Sequence, residues 1–155
     1  MQNKEYLFHY AEMSDIDSLM NLIEMVRGSF PALETAEQMS DCKQIVITCI
    51  NRQTALCMKH NAEIVGILLF AAESAELIFL AVHPGHRRKG IAEVLIEKML
   101  DKLPENAEIS VSTFRENDIK GKGPGALYKK FGFREAELVT LYDYPFQKLV
   151  LLRKQ

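Results

Sequence analysis

The stretch from Ala75 to Leu103, AELIFLAVHPGHRRKGIAEVLIEKMLDKL, decides how the rest of the chain is read. Glu76 to Val82 is an apolar, β-favouring run of the kind expected of a strand buried on both faces. His83 to Lys89 is a short loop holding Pro84, Gly85 and a basic cluster. From Gly90 to Lys102, Ile91, Val94, Leu95 and Met99 recur at helical spacing and leave one stripe to bury. A strand feeding through a glycine-containing loop into a helix start makes an anion site. The first-turn N–H groups have no partner within the helix, and the macrodipole favours negative charge there. Gly90 permits close backbone approach, Ala92 adds little bulk, and Arg87, Arg88 and Lys89 add positive charge.

Two familiar phosphate loops do not fit. The spacing from Gly85 to Gly90 imitates a P-loop, but Ile91 and Ala92 stand where Lys and Ser or Thr are needed. A dinucleotide fingerprint lacks its three glycines. A nucleotide-binding protein is therefore disfavoured. The pattern that fits is Arg/Gln-x-x-Gly-x-Gly/Ala, met by Arg87, Gly90 and Ala92 after a strand ending Ala81-Val82-His83-Pro84. Tyr128 follows in ALYKKFGF, similar to a second motif, Tyr-x-x-x-Gly-Phe. Together these residues resemble the acetyl-CoA site of the GCN5-related N-acetyltransferase (GNAT) family. The specific motifs lie between Glu76 and Phe133, and the order of elements agrees over nearly the whole chain.

The resemblance implies a twisted mixed β-sheet with helices on both faces, whose fourth and fifth strands splay apart and admit the cofactor. It implies that the backbone of Leu80, Ala81 and Val82 pairs with the pantetheine arm of acetyl-CoA as an added strand would. Arg87, Arg88, Lys89, Gly90, Ile91 and Ala92 would hold the cofactor's phosphates. The family's usual asparagine and alanine before the tyrosine are replaced by Gly121 and Pro124, and Asn117 lies further upstream.

Composition agrees with an ordinary globular protein. The 155 residues suffice for one domain with a real core, read as a mixed α/β domain over residues 1–155. A net charge of −2 gives no global basic field for nucleic acid or a membrane surface. Cys42, Cys49 and Cys57 form no Cys-x-x-Cys pair and read as reduced core thiols of a cytoplasmic protein. No metal is expected. MQNKEYLFHY is too polar for a signal peptide, and no apolar run reaches membrane-spanning length. The oligomeric state is left open, a homodimer included.

The remaining elements follow from periodicity and punctuation. Tyr6 to Ala11 is β-like, and Ser14 is the expected N-cap of a helix carrying Ile16, Leu19, Met20, Ile23 and Val26. Thr35 and Gln38 form a capping box for a second helix that stops near Asn51. Strands at Ala55 to Lys59 and Ile64 to Ala72 join in a hairpin at His60-Asn61-Ala62-Glu63. Glu108 to Phe114 is a strand, Arg115 to Gly125 a loop, and Ala126 to Phe131 a short helix closed by Gly132. Glu137 to Tyr142 and Gln147 to Arg153 are the last strands, separated by Asp143-Tyr144-Pro145-Phe146.

Amide formation from a thioester needs a base for the amine, a donor for the oxyanion and a proton for the departing thiolate. The resemblance implies that Tyr128 serves the thiolate; otherwise it is a core tyrosine with its hydroxyl in water. AELIFLAV resembles the strand whose glutamate acts as base in the histone acetyltransferase branch, which makes Glu76 the expected base and Glu73 its alternative. Residues 76, 78, 80 and 82 are expected on one face. Glu76 lies roughly 13 Å along the strand from Leu80, so proton removal through water is the more plausible route. His83 and His86 read as solvated or phosphate-facing. Between Ala11 and Ile45, Glu12, Asp15, Asp17, Glu24, Glu34, Glu37 and Asp41 outnumber Arg27 and Lys43, and Tyr142, Asp143 and Tyr144 sit in the last turn. Carboxylates among aromatic rings suit a cationic guest. The expected reaction is direct acetyl transfer from acetyl-CoA to a small primary amine, ahead of a protein or peptide acceptor and of a non-catalytic acyl-CoA-binding module.

Overall fold

The structure is a computed structural model and describes residues 5–114, 122–141 and 143–153. Seven strands form one sheet: β1 (Tyr6–Tyr10), β2 (Ala55–His60), β3 (Glu63–Ala71), β4 (Glu76–Val82), β5 (Glu108–Phe114), β6 (Arg134–Leu141) and β7 (Tyr144–Leu152). Their spatial order is β1-β2-β3-β4-β5-β7-β6. The β4–β5 contact is parallel, and the other neighbours run antiparallel. Helices α1 (Ile16–Val26) and α2 (Ala36–Asn51) cover one face, and α3 (Ile91–Lys102) and α4 (Lys122–Lys130) cover the other. This is the expected mixed α/β sheet with helices on both faces.

Two cores follow from strand alternation. Cys57, Ile67 and Leu69 face α1 and α2, where they meet Leu19, Ile23, Val46 and Cys49. Leu56, Leu68 and Phe70 face α3 and α4, where they meet Leu95, Ile96, Met99 and Phe133. The strand buried on both faces is thus β3, with seven consecutive buried residues, and not β4 as its composition suggested. In β4 Ile78 stays 40% exposed, because the strand borders an open cleft.

The capping box of α2 is present: the Gln38 N–H donates to Thr35 Oγ1 at 3.0 Å, and the Thr35 N–H donates to Gln38 Oε1 at 3.1 Å. The start of α1 differs from expectation, since Ser14 is not its cap. The chain enters through a 3₁₀ turn at Met13–Asp15, where the Glu12 N–H donates to the Asp15 carboxylate at 2.8 Å. Lys59 Nζ lies 2.9 Å from the same carboxylate. Burial opposes charge on Asp15, but these two partners hold its pKa below the usual value. Asp15 stands at the N-cap position of α1, but its carboxylate turns back to the Glu12 N–H and to Lys59 instead of capping the first-turn amides.

Two boundaries also shift. Helix α4 begins at Lys122, taking in Gly123, Pro124 and Gly125 that read as loop. A proline in the first turn removes an N–H that would have no intrahelical partner anyway. The end of α4 is as expected: the N–H of Phe133 bonds to the carbonyl of Tyr128 and that of Gly132 to Lys129, with Gly132 at φ 100°. The rings of Tyr128 and Phe133, 5.8 Å apart, add the hydrophobic contact that accompanies this ending. The last hairpin is longer than expected. Leu141 pairs with Tyr144, so Tyr144, Pro145 and Phe146 belong to β7.

Gly66 fixes the height of α3 over the sheet. A Cβ there would lie 2.5 Å from Ile91 Cγ2 and 3.3 Å from Leu95 Cδ1. The missing side chain lets the first turn of α3 settle directly on β3, beside Val82, which pairs with Gly66. Gly66→Ala should therefore lower stability by about 1–3 kcal/mol in urea unfolding, the usual range for overpacking. Adding Ile91→Ala should make the double variant more stable than the sum of the single effects. Additive losses would show that the contact does not set the docking.

Candidate active site

A single extra residue shapes the cleft. On β3, Leu69 pairs with Phe79 while the next residue, Phe70, pairs with Leu77, so Ile78 is a bulge in β4. The bulge reverses the alternation. Leu77 packs with the α3–α4 core, Phe79 and Ala81 pack with the α1–α2 core, and Leu80 and Val82 return toward α3. Residues 76, 78, 80 and 82 therefore do not share a face. Glu76, opposite in sense to Leu77, lies on the α1–α2 side.

The same bulge parts the sheet. β4 pairs with β5 at Glu76–Ser110 and Leu77–Val111, and no further pairs follow along the two strands. Beyond that point β4 stays with β3 as far as Val82, and β5 stays with β7 as far as Phe114. The strands diverge around a cavity of about 820 Å³. Leu80, Ala81 and Val82 line one wall, and Val111, Ser112 and Thr113 line the other. Tyr128 reaches the cavity from α4 although it is only 5% exposed. Burial pushes its phenol well above the ordinary value, so the hydroxyl keeps its proton at physiological pH and can act as a donor.

The loop after β4 forms the cationic end. Arg87, Arg88, Gly90, Ile91 and Ala92 line the cavity, whereas Lys89 does not. Gly90 is the N-cap of α3 at φ 79°, in the left-handed region, and no side chain caps the helix there. The first-turn amides therefore stay available to a ligand. Arg88 also lies at positive φ, 62°. Glu93, an anion in this first turn, is neutralised by Lys130 of α4 at 3.1 Å.

The other end is apolar with two carboxylates. Phe30 and Phe79 pack at 4.7 Å between ring centroids, and Leu33, Ile45, Ile78 and Phe146 extend that surface. Asp41 of α2 and Glu76 of β4 are the carboxylates on this part of the wall. Glu73 lies elsewhere, paired with Arg52 at 3.1 Å. Asp143 and Tyr144 do not line the cavity; Tyr144 backs Phe146, which does, with ring centroids 5.4 Å apart. Tyr142, like Asn117 and Gly121, lies outside the described residues. Cys42 lines the cavity, but burial pushes its thiol up to about 11, so little thiolate forms. Phe30 and Phe79 escaped the sequence reading because they meet only across the fold. Asp41 was visible only as one of many acidic helix residues.

A model of the acetyltransferase (GNAT) domain matches residues 51–135, more than half of the chain. The chain belongs to the GNAT family of acetyltransferases.

Solved structures resemble it along almost their whole length. An acetyltransferase of the GNAT family from Bacillus cereus ATCC 10987 is 21% identical, with a TM-score of 0.73 over 97% of this chain and 99% of that one. Ard1 from Thermoplasma volcanium is 15% identical, with a TM-score of 0.74 over 97% and 99%. PaiA N-acetyltransferase from Thermoplasma acidophilum, solved in complex with coenzyme A, is 18% identical, with a TM-score of 0.67 over 92% and 97%. No protein of curated function matches the sequence. Among the described residues, no helix is long and apolar enough to cross a membrane.

The donor set of this GNAT chain fits acetyl-CoA. Uncapped amides at Gly90 to Ala92 and two guanidinium groups suit a pyrophosphate, and the cleft beyond them is lined by strand backbone and apolar side chains. A side chain at residue 90 would be strained by the positive φ. Gly90→Val should therefore displace the first-turn amides. Losing two hydrogen bonds to a charged group would weaken coenzyme A binding by about 3–6 kcal/mol. Calorimetry on the folded variant checks this, and unchanged affinity would remove the loop from the cofactor site.

Proposed function

We propose that this GNAT enzyme transfers the acetyl group of acetyl-CoA directly to a small primary amine that is cationic at rest. Glu76 receives the amine's proton and Tyr128 serves the departing thiolate. The observation that carries this reading is the convergence of Glu76 and Tyr128 on one cleft from different elements, β4 and α4.

Acetyl-CoA supplies an activated thioester; this chain's residues supply position and proton handling. Arg87, Arg88 and the Gly90 to Ala92 backbone hold the phosphates. The edge of β4 released from β5 offers backbone groups to the cofactor's extended arm. Phe30 and Phe79 receive the hydrocarbon body of the acceptor, and Asp41 and Glu76 attract its charge. Asp41 thus takes the acceptor role that the sequence suggested for Asp143, because it lies on the cleft wall. Glu76, at the accessible start of β4, removes a proton directly or through water. The Tyr128 hydroxyl, kept protonated by burial, donates to the sulfur. Scarce thiolate at Cys42 argues against an acetyl-cysteine step.

Tyr128→Phe should lower kcat by about 10²-fold or more, with less effect on the Kd of coenzyme A. Glu76→Gln should flatten the acidic limb of the kcat/KM profile, because the carboxylate no longer titrates. Wild-type turnover in the first variant, or an unchanged limb in the second, would reassign that role.

The acceptor is tested by coenzyme A release with a panel of arylalkylamines, alkyl diamines, polyamines and peptides. Small amines with a hydrocarbon body should lead. Asp41→Asn should raise their KM roughly twofold to fivefold, as expected for an exposed ion pair, while Asp143→Asn should not. Peptides outperforming every small amine would overturn this acceptor assignment and leave the family membership intact.

A further inference from the structure

His86 sits on the bend between β4 and α3 in a cluster assembled from distant parts of the chain. The Tyr6 hydroxyl, from β1, lies 3.0 Å from His86 Nδ1. The ring of His60, at the end of β2, lies 4.9 Å from that of His86, and the ring of His83 lies 5.1 Å away. Tyr6 is itself packed on His60 at 5.1 Å and is 5% exposed. The Gly85 N–H donates to His83 Nδ1 at 2.9 Å, which fixes the start of the bend. His86 lines the same cavity as Arg87 and Arg88. Acetyl transfer as described above uses none of these imidazoles.

We propose that His86 is a further ligand of the cofactor's phosphate groups, held by Tyr6 with Nε2 as the donor, and that it links cofactor binding to proton uptake. The proposal rests on the assignment of the cleft to acetyl-CoA.

The tautomer carries the argument. When the Tyr6 O–H donates to Nδ1, the neutral imidazole keeps its hydrogen on Nε2. An anion on the cleft side then meets an N–H. The other tautomer would present a lone pair and repel it. In that arrangement a buried strand residue sets the hydrogen-bonding sense of a loop residue eighty positions away.

The surroundings set the direction of the linkage. Burial, followed by His60 and His83, holds the His86 pKa below its ordinary value; Lys89 acts in the same direction and Glu63 opposes them. Glu63 is 3.8 Å from His83 Nε2. The free protein therefore presents His86 neutral near pH 7. A phosphate placed against Nε2 favours the imidazolium, so the pKa in the complex exceeds that in the free protein. Binding takes up protons, and affinity strengthens as pH falls from roughly 8 toward 6.

The test is calorimetric titration of the full chain with coenzyme A between pH 6 and 8, in buffers of different ionisation enthalpy. Kd and the number of protons taken up are read together. The cofactor's own phosphate titration is common to all variants, so differences between variants report the protein. His86→Ala should weaken binding about tenfold at pH 6, the loss of one charge-assisted hydrogen bond, and should reduce proton uptake. His86→Gln keeps an N–H donor without a titrating ring. It should bind within about threefold of wild type at pH 8 and lose much of the pH slope. Tyr6→Phe should weaken binding roughly threefold at pH 8 and match wild type at pH 6, where the imidazolium carries hydrogens on both nitrogens. A merely structural hydroxyl would weaken binding equally at both. If His86→Ala keeps wild-type affinity and proton number, the proposal is overturned while the cofactor assignment stands. If the wild type does not bind coenzyme A, both fall together.

Discussion

The backbone pairing that β4 and β5 fail to make is the constraint on which the site depends. Parallel neighbours in a sheet ordinarily continue their ladder for the length of the shorter strand. Here one inserted residue, Ile78, bends β4 and ends the ladder after Leu77. Apart from Ile78, each strand keeps its ladder on the outer side, β4 with β3 and β5 with β7, so the opening is flanked by paired strands. Unpaired backbone groups in a cleft are unfavourable unless water or a ligand meets them. An extended ligand arm that offers its own amides is the natural complement to such an edge.

Charge divides the cleft along its length. The guanidinium groups and uncapped helix amides lie beyond the end of β4, and Glu76 lies at its start. That separation exceeds a Debye length at physiological ionic strength, about 8 Å, so each end acts on its own ligand with limited interference. The Glu93–Lys130 pair supports the arrangement by removing a negative charge from the anion site. The elevated thiol pKa of Cys42 has a complementary effect, leaving the apolar wall without a competing thiolate.

The cofactor half of the site was legible in the sequence because its chemistry is local. Arg87, Gly90 and Ala92 fall within six residues, and the strand-loop-helix order around them is written in periodicity. The capping box at Thr35 and the closing glycine at Gly132 were legible for the same reason. The apolar half was not, because it is assembled across the fold. Phe30 and Phe79 are neighbours only once α1 and α2 have closed over β4. The bulge at Ile78 leaves no mark in a run of apolar residues, since either parity of ELIFLAV looks equally buried. Gly66 reads as an ordinary strand glycine until α3 is placed on it. Tyr144 shows the opposite failure: a carboxylate between aromatic rings suggested a binding turn, but pairing with Leu141 draws Tyr144 into the sheet.

The two residue pairs that join β4 to β5 also have a thermodynamic meaning. They are the narrowest point of the sheet, a seam between the strands β1 to β4 and the strands β5 to β7. One face of the seam is closed by the α3–α4 core, while the cleft opens beside it. Partial unfolding follows the route with the fewest contacts to break, so amide hydrogen exchange should be fastest along this seam in the free protein. A cofactor lying between β4 and β5 would bridge it from both sides. At a hundredfold excess over its Kd, binding alone adds about 2.7 kcal/mol to global stability. Because that energy is placed across the seam, it would also make the two parts of the sheet melt as one unit.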